Sequence, residues 1–320
     1  MESFWAAETH PKDSGVRHRN SRRVAMKNRA RCRRVHHRFG PTLCLLTALT
    51  LILEVGALFA ADNRGERYEK GYRALQALNA DGAGKVIEGL RDIAPEMSDF
   101  LVEFAYGDVF SRPALDPKSR EMATIAALTA LGNAAPQLKW HIAAALNIGV
   151  RPEQIIDIMY VSVVYHGFPA ALNGIAAARE VFAEKGIRFT PVKREKIADK
   201  RALGLKTMDA TSRGAGEKVV DSLKDIAPEM ADFILEFSYA DIFSRGVLSP
   251  GETELVAIAG MCAAGTQRPQ LIVHIKSGLN VGLTKEQIIE VMDQMAVYAG
   301  FPAALNGISA AREAFASAAR

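Results

Sequence analysis

Apolar residues recur every three or four positions along most of the chain after residue 65, a spacing typical of amphipathic helices. No segment carries a convincing strand pattern. Capping residues followed by proline mark helix starts after Asp116 and Ser249, and the apolar runs behind them continue to Leu131 and Ala264. The pattern therefore predicts an all-α fold.

Three further helices are predicted behind the first of these runs, at 136–147, 152–165 and 169–182. The first closes on Gly149, since glycine is favoured directly after a helix end. Gly167 is predicted to break the chain between the last two, because glycine tolerates backbone angles that other residues avoid.

The helical pattern occurs twice along the chain, as a tandem sequence repeat. Residues 93–182 align with 226–315 without a gap, at a constant offset of 133 and with about 50 identities in 90 positions. A repeat of this kind decides the fold and must be recognised first. The chain is therefore predicted to be a tandem duplication of one bundle of about six helices.

The predicted boundaries place a basic region with a signal peptide at 1–60, a first unit at 66–186, a linker at 187–200 and a second unit at 201–320. Upstream of the ungapped alignment, RALQALN at 73–79 matches RALGLKT at 201–207 with a smaller offset. This match predicts a few extra residues in the second unit.

Charge is distributed unevenly along the 320 residues, about half of which are apolar and suffice for a large core. Residues 1–40 hold 11 Lys and Arg against three acidic residues, whereas 61–320 hold 29 Lys and Arg against 32 Asp and Glu. The basic character belongs to the N-terminal region, so the sequence gives no reason to expect a nucleic-acid partner.

An apolar run, TLCLLTALTLIL at 42–53, follows the basic region and precedes Glu54 and a small-residue stretch. This is the order of a secretory signal, and the run is shorter than the roughly 20 residues of a membrane span. We predict cleavage between Ala57 and Ala61, with export to the periplasm or secretion. The alternative is an uncleaved anchor at 42–60, which would be the protein's contact with the membrane.

Cysteine usage is sparse. Cys32 and Cys44 lie in the predicted targeting segment, so the mature chain would keep Cys262 and could form no internal disulfide. Cys262 stands among small helical residues and is interpreted as a core residue.

The predicted mature chain holds three histidines, too dispersed for a zinc signature. His141 and His274 occupy the same repeat position amid apolar residues, whereas His166 is matched by Ala299. A histidine on an apolar helix face is more often a core residue than a catalyst, so this alternative stays open.

Other polar residues recur in both units: Glu121 with Glu254, Arg112 with Arg245, and Tyr165 with Tyr298. The glutamates can simply favour a helix N-terminus. The arginines can pair with Asp108 and Asp241, four residues earlier. Their presence in both copies, while many neighbours differ, favours a site.

The strings PQLKWHIAAALNIG and PQLIVHIKSGLNVG, each followed by EQII and then by VYHGFPAALN or VYAGFPAALN, resemble the carboxymuconolactone decarboxylase family, which includes the AhpD-like proteins. The resemblance implies an all-α domain whose site lies between helices and is completed by a neighbouring subunit. It also implies a homo-oligomer, for which we expect a trimer of tandem chains, and chemistry without a cofactor.

The thiol peroxidases of this family carry a C-x-x-C motif ahead of the motif histidine. The corresponding positions here are Ala134 and Gln137 in the first unit, and Gln267 and Gln270 in the second. A dithiol peroxidase needs one thiolate to attack the peroxide and another to resolve the sulfenic acid, so the sequence favours the decarboxylases.

Decarboxylation of a carboxylated lactone leaves electrons that spread towards the lactone carbonyl as a dienolate, which must be stabilised and then protonated at carbon. In the first unit we expect His141 to be the general acid, Glu121 to orient it, Tyr165 to donate to the oxyanion and Arg112 to bind a substrate carboxylate. The counterparts in the second unit are His274, Glu254, Tyr298 and Arg245.

The two units differ at four positions of interest: His166 and Ala299, Trp140 and Val273, Arg120 and Thr253, Tyr160 and Asp293. We expect His166 and Trp140 to contact the substrate. The hypothesis is that the first unit holds the more elaborate pocket and that the second is partly a scaffold.

Export fits a cytosolic catabolic enzyme poorly, so two alternatives to the decarboxylase remain. One is a non-catalytic protein of the cell envelope that binds a small lactone or carboxylate. The other is an alkyl hydroperoxidase-like antioxidant in which Cys262 works with an external thiol.

Export yields a direct prediction. We expect the chain in the exported fraction, measured by intact mass spectrometry, to have lost roughly 60 residues, because a signal peptidase would cut in the small-residue stretch. A full-length mass in that fraction would contradict the prediction.

Overall fold

The computed structural model describes residues 65–214 and 216–318, and every regular element within them is helical. The prediction of an all-α fold is confirmed. The predicted export signal and the alternative anchor at 42–60 lie outside the described residues, so both stay predictions.

The first repeat contains five α-helices within residues 65–184: α1 (Glu66–Glu88), α2 (Pro95–Phe100), α3 (Pro117–Leu131), α4 (Ala135–Asn147) and α5 (Pro152–Glu184). A π-helix, Leu101–Phe110, continues α2. Helix α1 bends at Asn79, and α5 bends at Gly167, where φ is 79°. The break predicted at this glycine is confirmed.

The second repeat contains seven α-helices within residues 200–214 and 216–318: α6 (Lys200–Ser212), α7 (Gly216–Leu223), α8 (Pro228–Phe233), α9 (Pro250–Ala264), α10 (Arg268–Asn280), α11 (Lys285–Tyr298) and α12 (Phe301–Ala318). A π-helix, Ile234–Ile242, and a 3-10 turn, Phe243–Arg245, continue α8. Residues 187–199 form no helix or strand and join the repeats.

Helix starts lie where the capping residues predicted them. The carboxylate of Asp116 accepts hydrogen bonds from the backbone N–H groups of Lys118 and Ser119, at 2.9 and 3.1 Å. The hydroxyl of Ser249 accepts one from the N–H of Glu252 at 3.2 Å. These bonds satisfy donors that a helix N-terminus leaves unpaired, so α3 and α9 begin at defined residues.

Close helix contacts fix the register between the repeats. A Cβ atom on Gly71 would lie 1.9 Å from the carbonyl oxygen of Val102, and one on Gly204 would lie 2.1 Å from that of Leu235. The two glycines are 133 residues apart, the same offset as the main alignment. The extra residues predicted from the RALQALN and RALGLKT strings are therefore wrong, because short helical strings match by composition alone.

Helices α3 and α9 pack against each other at the centre, and most of their residues are buried. A single hydrophobic core includes Ile125 and Ile158 of the first repeat together with Ile258 and Met292 of the second. Both repeats accordingly belong to one compact unit.

Cys262 belongs to this core. Burial raises the pKa of its thiol to about 12, so the reactive thiolate is strongly disfavoured at neutral pH. This agrees with its interpretation as a core residue.

By length and composition, α5 is the one described helix that could cross a membrane. It is bent at Gly167, and Ile155, Ile158 and Met159 within it are fully buried in the protein core. Part of its apolar surface is therefore used in that packing.

The glycine contact in α1 can be tested by substitution. We expect Gly71→Ala to lower the free energy of unfolding by about 1–3 kcal/mol, because the added methyl group would collide with backbone. Gly84→Ala is the matched control: it lies in the same helix with open space around it, and should stabilise the protein by about 0.5–1 kcal/mol. Thermal unfolding of both variants gives the comparison, and equal effects would contradict the contact.

Candidate active site

A glutamate, a histidine and a tyrosine meet beside the interface between the repeats. Nδ1 of His141, on α4, lies 2.9 Å from Oε2 of Glu121, on α3. Nε2 of the same imidazole lies 3.1 Å from the hydroxyl of Tyr298, on α11. Glu121 and His141 are buried, so the three side chains form a continuous hydrogen-bonded chain away from bulk water.

An equivalent set is built around His274, on α10. Its Nδ1 atom lies 2.7 Å from Oε2 of Glu254, on α9, and its Nε2 atom lies 2.8 Å from the hydroxyl of Tyr165, on α5. Both histidines are thus held at both nitrogens. The expectation that each glutamate orients its histidine matches this geometry in both repeats.

The tyrosines are exchanged between the repeats. The sequence led us to group Tyr165 with His141 and Tyr298 with His274, and the structure reverses this grouping. The reason is that α5 packs against α9 and α11 packs against α3, so each of these helices carries its tyrosine into the other repeat. Neither site is complete within one repeat.

Each tyrosine and histidine pair faces its own cavity. Cavity 1 has a volume of about 410 Å³ and contains His141, Tyr298 and Tyr106; the remaining lining residues are Leu75, Val86, Leu101, Ala105, Pro136, Gln137, Trp140 and Val297. Cavity 2, of about 380 Å³, is lined by the residues at the equivalent eleven positions, with His274, Tyr165 and Tyr239 as its counterparts. Both cavities are largely apolar, with a few polar groups, as small-molecule sites usually are.

Tyr106 and Tyr239 are site residues that the sequence analysis missed. They project from the two π-helices, an irregular form that is frequent at functional sites. The signal was present, since both tyrosines lie in the repeated strings EFAYGDVFSR and EFSYADIFSR.

The phenols in both cavities hold their protons strongly. Burial raises the pKa of Tyr298 and of Tyr165 well above 10, and nearby negative charge on Glu121 or Glu254 adds to the effect. Burial likewise raises the pKa values of Tyr106 and Tyr239. At neutral pH all four are hydroxyl groups that can donate hydrogen bonds to a ligand.

Each glutamate has a single polar contact through its carboxylate. Oε1 of Glu121 and Oε1 of Glu254 have no hydrogen-bond partner within residues 65–214 and 216–318. A buried carboxylate with so few partners carries a free-energy cost, which a purely structural residue would have little reason to bear. This favours a functional role over the alternative of helix-dipole partners.

Arg112 and Arg245 lie outside both cavities, contrary to their predicted role as carboxylate clamps. Nε of Arg112 is 3.5 Å from Oε1 of Glu290, and its Nη2 is 3.3 Å from Oδ2 of Asp293. Nε of Arg245 is 2.5 Å from Oδ1 of Asp157. Both arginines therefore form ion pairs across the interface between the repeats.

The pairing suggested by sequence spacing is also wrong for both arginines. Asp108 instead accepts hydrogen bonds from Arg67, including one of 3.0 Å from Nε. Asp241 pairs with Lys200 at 2.6 Å. Helix spacing alone gave the wrong partners because the π-helices end before Arg112 and Arg245, where the chain turns away.

Trp140 and His166 were both predicted to contact the substrate, and one of them lines a cavity. Trp140 lines cavity 1, with its ring 4.8 Å from that of His141. His166 lines neither cavity: its Nε2 atom lies 2.5 Å from where a Cβ on Gly260 would stand. Burial lowers the pKa of His166 to about 4, so it is neutral at physiological pH.

The second repeat supplies more than a scaffold. Its Glu254, His274 and the reciprocal Tyr165 have the same arrangement as the first set, and the cavities have similar volumes. The hypothesis that the first unit has the more elaborate pocket is therefore supported by one feature, the aromatic side chain of Trp140.

Comparison with known proteins decides the family. The sequence profile of the carboxymuconolactone decarboxylase family matches residues 95–180 and again 228–313. The chain belongs to this family. Both matched segments contain a Glu–His pair and the tyrosine that serves the other site, so the match covers every member of the two hydrogen-bonded sets.

Individual relatives agree with a duplicated unit. A 4-carboxymuconolactone decarboxylase of Acinetobacter baylyi is 32% identical over 126 residues, which cover 39% of this chain and 93% of the relative. A 15.0 kDa protein of Paracoccus denitrificans is 29% identical over 118 residues, or 37% of this chain and 88% of that protein. Each relative thus has about the length of one repeat.

A solved structure shows the same architecture over most of the chain. It is assigned as a gamma-carboxymuconolactone decarboxylase subunit of Burkholderia xenovorans LB400, and superposes with a TM-score of 0.51 at 25% identity. The match covers 77% of this chain and 96% of the other. The tandem, all-α assignment to the family rests on this agreement and on the double profile match.

The buried phenols predict alkaline instability. Their pKa values are raised in the folded protein, so above about pH 10 the unfolded chain releases protons that the folded chain retains. The free energy of unfolding should then fall as pH rises, by up to about 1.4 kcal/mol per pH unit for each phenol. Denaturant unfolding between pH 9 and 12 measures the slope, and Tyr298→Phe should reduce it. A stability that is level above pH 10 would contradict the burial of these groups.

Proposed function

We propose that the protein is a cofactor-free decarboxylase of a small lactone or related carboxylic acid, with two sites per chain. The observation that carries this proposal is the Glu–His–Tyr set in each repeat, hydrogen-bonded through both imidazole nitrogens and facing an apolar cavity. Family membership supports the same class of chemistry.

In cavity 1 the reaction begins with the substrate carboxylate among apolar walls. Loss of its hydration favours cleavage of the bond to the carboxyl carbon, because the charge spreads over a larger conjugated system. CO2 leaves, and the electron pair of the broken bond moves into the lactone as a dienolate. The neutral hydroxyls of Tyr298 and Tyr106 are suited to donate hydrogen bonds to the developing oxyanion.

The dienolate must then gain one proton at carbon. Tyr298 can deliver it, since its hydroxyl faces the cavity and lies 3.1 Å from Nε2 of His141. His141 returns a proton to the phenolate oxygen, and Glu121 positions the imidazole through Nδ1. One proton taken up from solvent completes each turnover. In cavity 2 the corresponding groups are Tyr165, His274 and Glu254.

Among the residues that the structure describes, no arginine or lysine lines either cavity. Substrate oxygens would therefore be held by neutral donors such as Tyr106 and the side-chain amide of Gln137. A strong cation would stabilise the starting carboxylate more than the delocalised transition state, so neutral donors suit the proposed reaction.

Thiol peroxidase chemistry fits the protein less well. Cys262 is buried, with a raised thiol pKa, and lines neither cavity. Reaction with peroxide requires an accessible thiolate, which this setting disfavours.

The exchanged tyrosines lead to a test with 4-carboxymuconolactone. We expect His141→Ala to abolish turnover in cavity 1 and to leave turnover in cavity 2 unchanged. Adding Tyr298→Phe to His141→Ala should then cost nothing further, because both changes fall in the same site. Adding Tyr165→Phe instead should remove the remaining turnover, by about 10²–10⁴-fold for loss of a proton-transfer group.

Turnover is followed by CO2 release and ultraviolet absorbance, with Tyr72→Phe as a control outside both cavities. If Tyr298→Phe and Tyr165→Phe have the opposite effects in the His141→Ala background, each site would draw on its own repeat. Binding of the lactone without any CO2 release would replace the enzyme with the non-catalytic binding protein.

A further inference from the structure

The two cavities share their reactive groups but differ in their walls. Their eleven lining positions correspond one to one at an offset of 133. The tyrosines, the histidine, the proline and the glutamine are identical in both. The largest change is Trp140 in cavity 1, which is Val273 in cavity 2.

Trp140 gives cavity 1 an aromatic wall beside the reactive groups. Its ring stands at 72° to the ring of His141, with 4.8 Å between centroids, and lies 6.4 Å from the ring of Tyr106. A flat conjugated ligand placed here would meet aromatic surface on more than one side, which adds attraction beyond simple area burial. In cavity 2, Val273 is 49% exposed and offers no such surface.

The indole also brings a hydrogen-bond donor. Its Nε1 atom is buried and has no acceptor within residues 65–214 and 216–318. A Cβ atom on Gly82 of α1 would lie 2.6 Å from this nitrogen, so the glycine makes room for the indole against that helix. Gly82 does not line cavity 1, so this nitrogen packs against α1 and the proposal uses the aromatic ring of Trp140 rather than its N–H group.

Cavity 2, in contrast, is the more polar cavity at one lining position. Ala105 of cavity 1 is replaced by Ser238 in cavity 2, which places a hydroxyl where cavity 1 has a methyl group. The two sites have therefore diverged at the surfaces that would contact the body of a ligand, while the groups assigned to proton transfer are unchanged.

We propose that the two sites of one chain select different substrates, with Trp140 making cavity 1 selective for flat, unsaturated or aromatic lactones and Val273 leaving cavity 2 without that preference. This inference rests on the proposed function for the class of ligand. It does not require catalysis, because the selectivity arises in binding.

Two unreactive lactones separate the cases: phthalide, which is flat and aromatic, and hexahydrophthalide, its saturated counterpart. Calorimetric titration of the full-length chain should show one tighter phthalide site per chain. Trp140→Val should weaken that site about tenfold, the effect of losing an aromatic contact, and should change hexahydrophthalide binding by less than about twofold. Trp140→Phe keeps an aromatic face and should retain most of the preference.

Placing the side chains of Trp140 and Val273 in each other's cavity provides the matched control. The repeat partner of Gly82 is Ala215, so Val273→Trp is made together with Ala215→Gly. This pair should give two tighter phthalide sites per chain, and adding Trp140→Val to it should give one again. Equal phthalide binding at both sites of the unaltered chain would overturn the inference. So would a Trp140→Val variant that binds phthalide normally, or one that loses both lactones equally. If Trp140→Val fails to fold, the site count of Val273→Trp with Ala215→Gly still decides.

These outcomes are separable from those of the proposed function. A chain that never releases CO2 but shows the predicted phthalide pattern would retain the selectivity and lose the enzyme. A chain that decarboxylates 4-carboxymuconolactone but binds phthalide equally at both sites would retain the enzyme and lose the selectivity.

Discussion

The hydrogen bond between Tyr298 and His141 joins the two repeats, and so does the one between Tyr165 and His274. This exchange makes each site depend on the packing of the whole chain. A tyrosine hydroxyl stays within 3.1 Å of its imidazole only while α5 and α11 keep their places against α9 and α3. The shared core is therefore part of the proposed chemistry, since it sets the distances over which protons would move.

Charged residues stabilise this interface differently on its two sides. On one side Glu290 binds the buried Arg120 and accepts from the backbone N–H groups of Ala114 and Leu115, at 3.1 and 3.2 Å. On the other, Asp157 pairs with Arg245. Buried charges are tolerated when they are paired and hydrogen-bonded, so both arrangements commit arginine side chains to structure. Glu290 also pairs with Arg112, so both repeated arginines, Arg112 and Arg245, are held at the interface rather than in the cavities.

Much of the fold could be read from local signals. The caps at Asp116 and Ser249 and the break at Gly167 act over a few residues, and the structure follows them. The contact between Glu121 and His141 could not be read in this way, because helices joined by a short turn pack side by side without fixing which side chains touch. The tyrosine exchange could not either, since two similar repeats offer each helix two similar partners and the sequence does not say which it chooses. The alignment of RALQALN with RALGLKT was wrong for a related reason, because helices are too similar in composition for such short strings to be aligned.

The replacement of His166 by Ala299 can now be given a physical account. His166 packs against Gly260, where a Cβ atom would lie only 2.5 Å from its Nε2. The repeat partners of these residues are Ala299 and Ala127, so the larger side chain on one helix is matched by the smaller one on its neighbour. Two copies of the first repeat would set His166 against Ala127, whose Cβ the same geometry would not admit. The repeats have thus become a complementary pair, and once they cannot be interchanged their cavities are free to diverge separately.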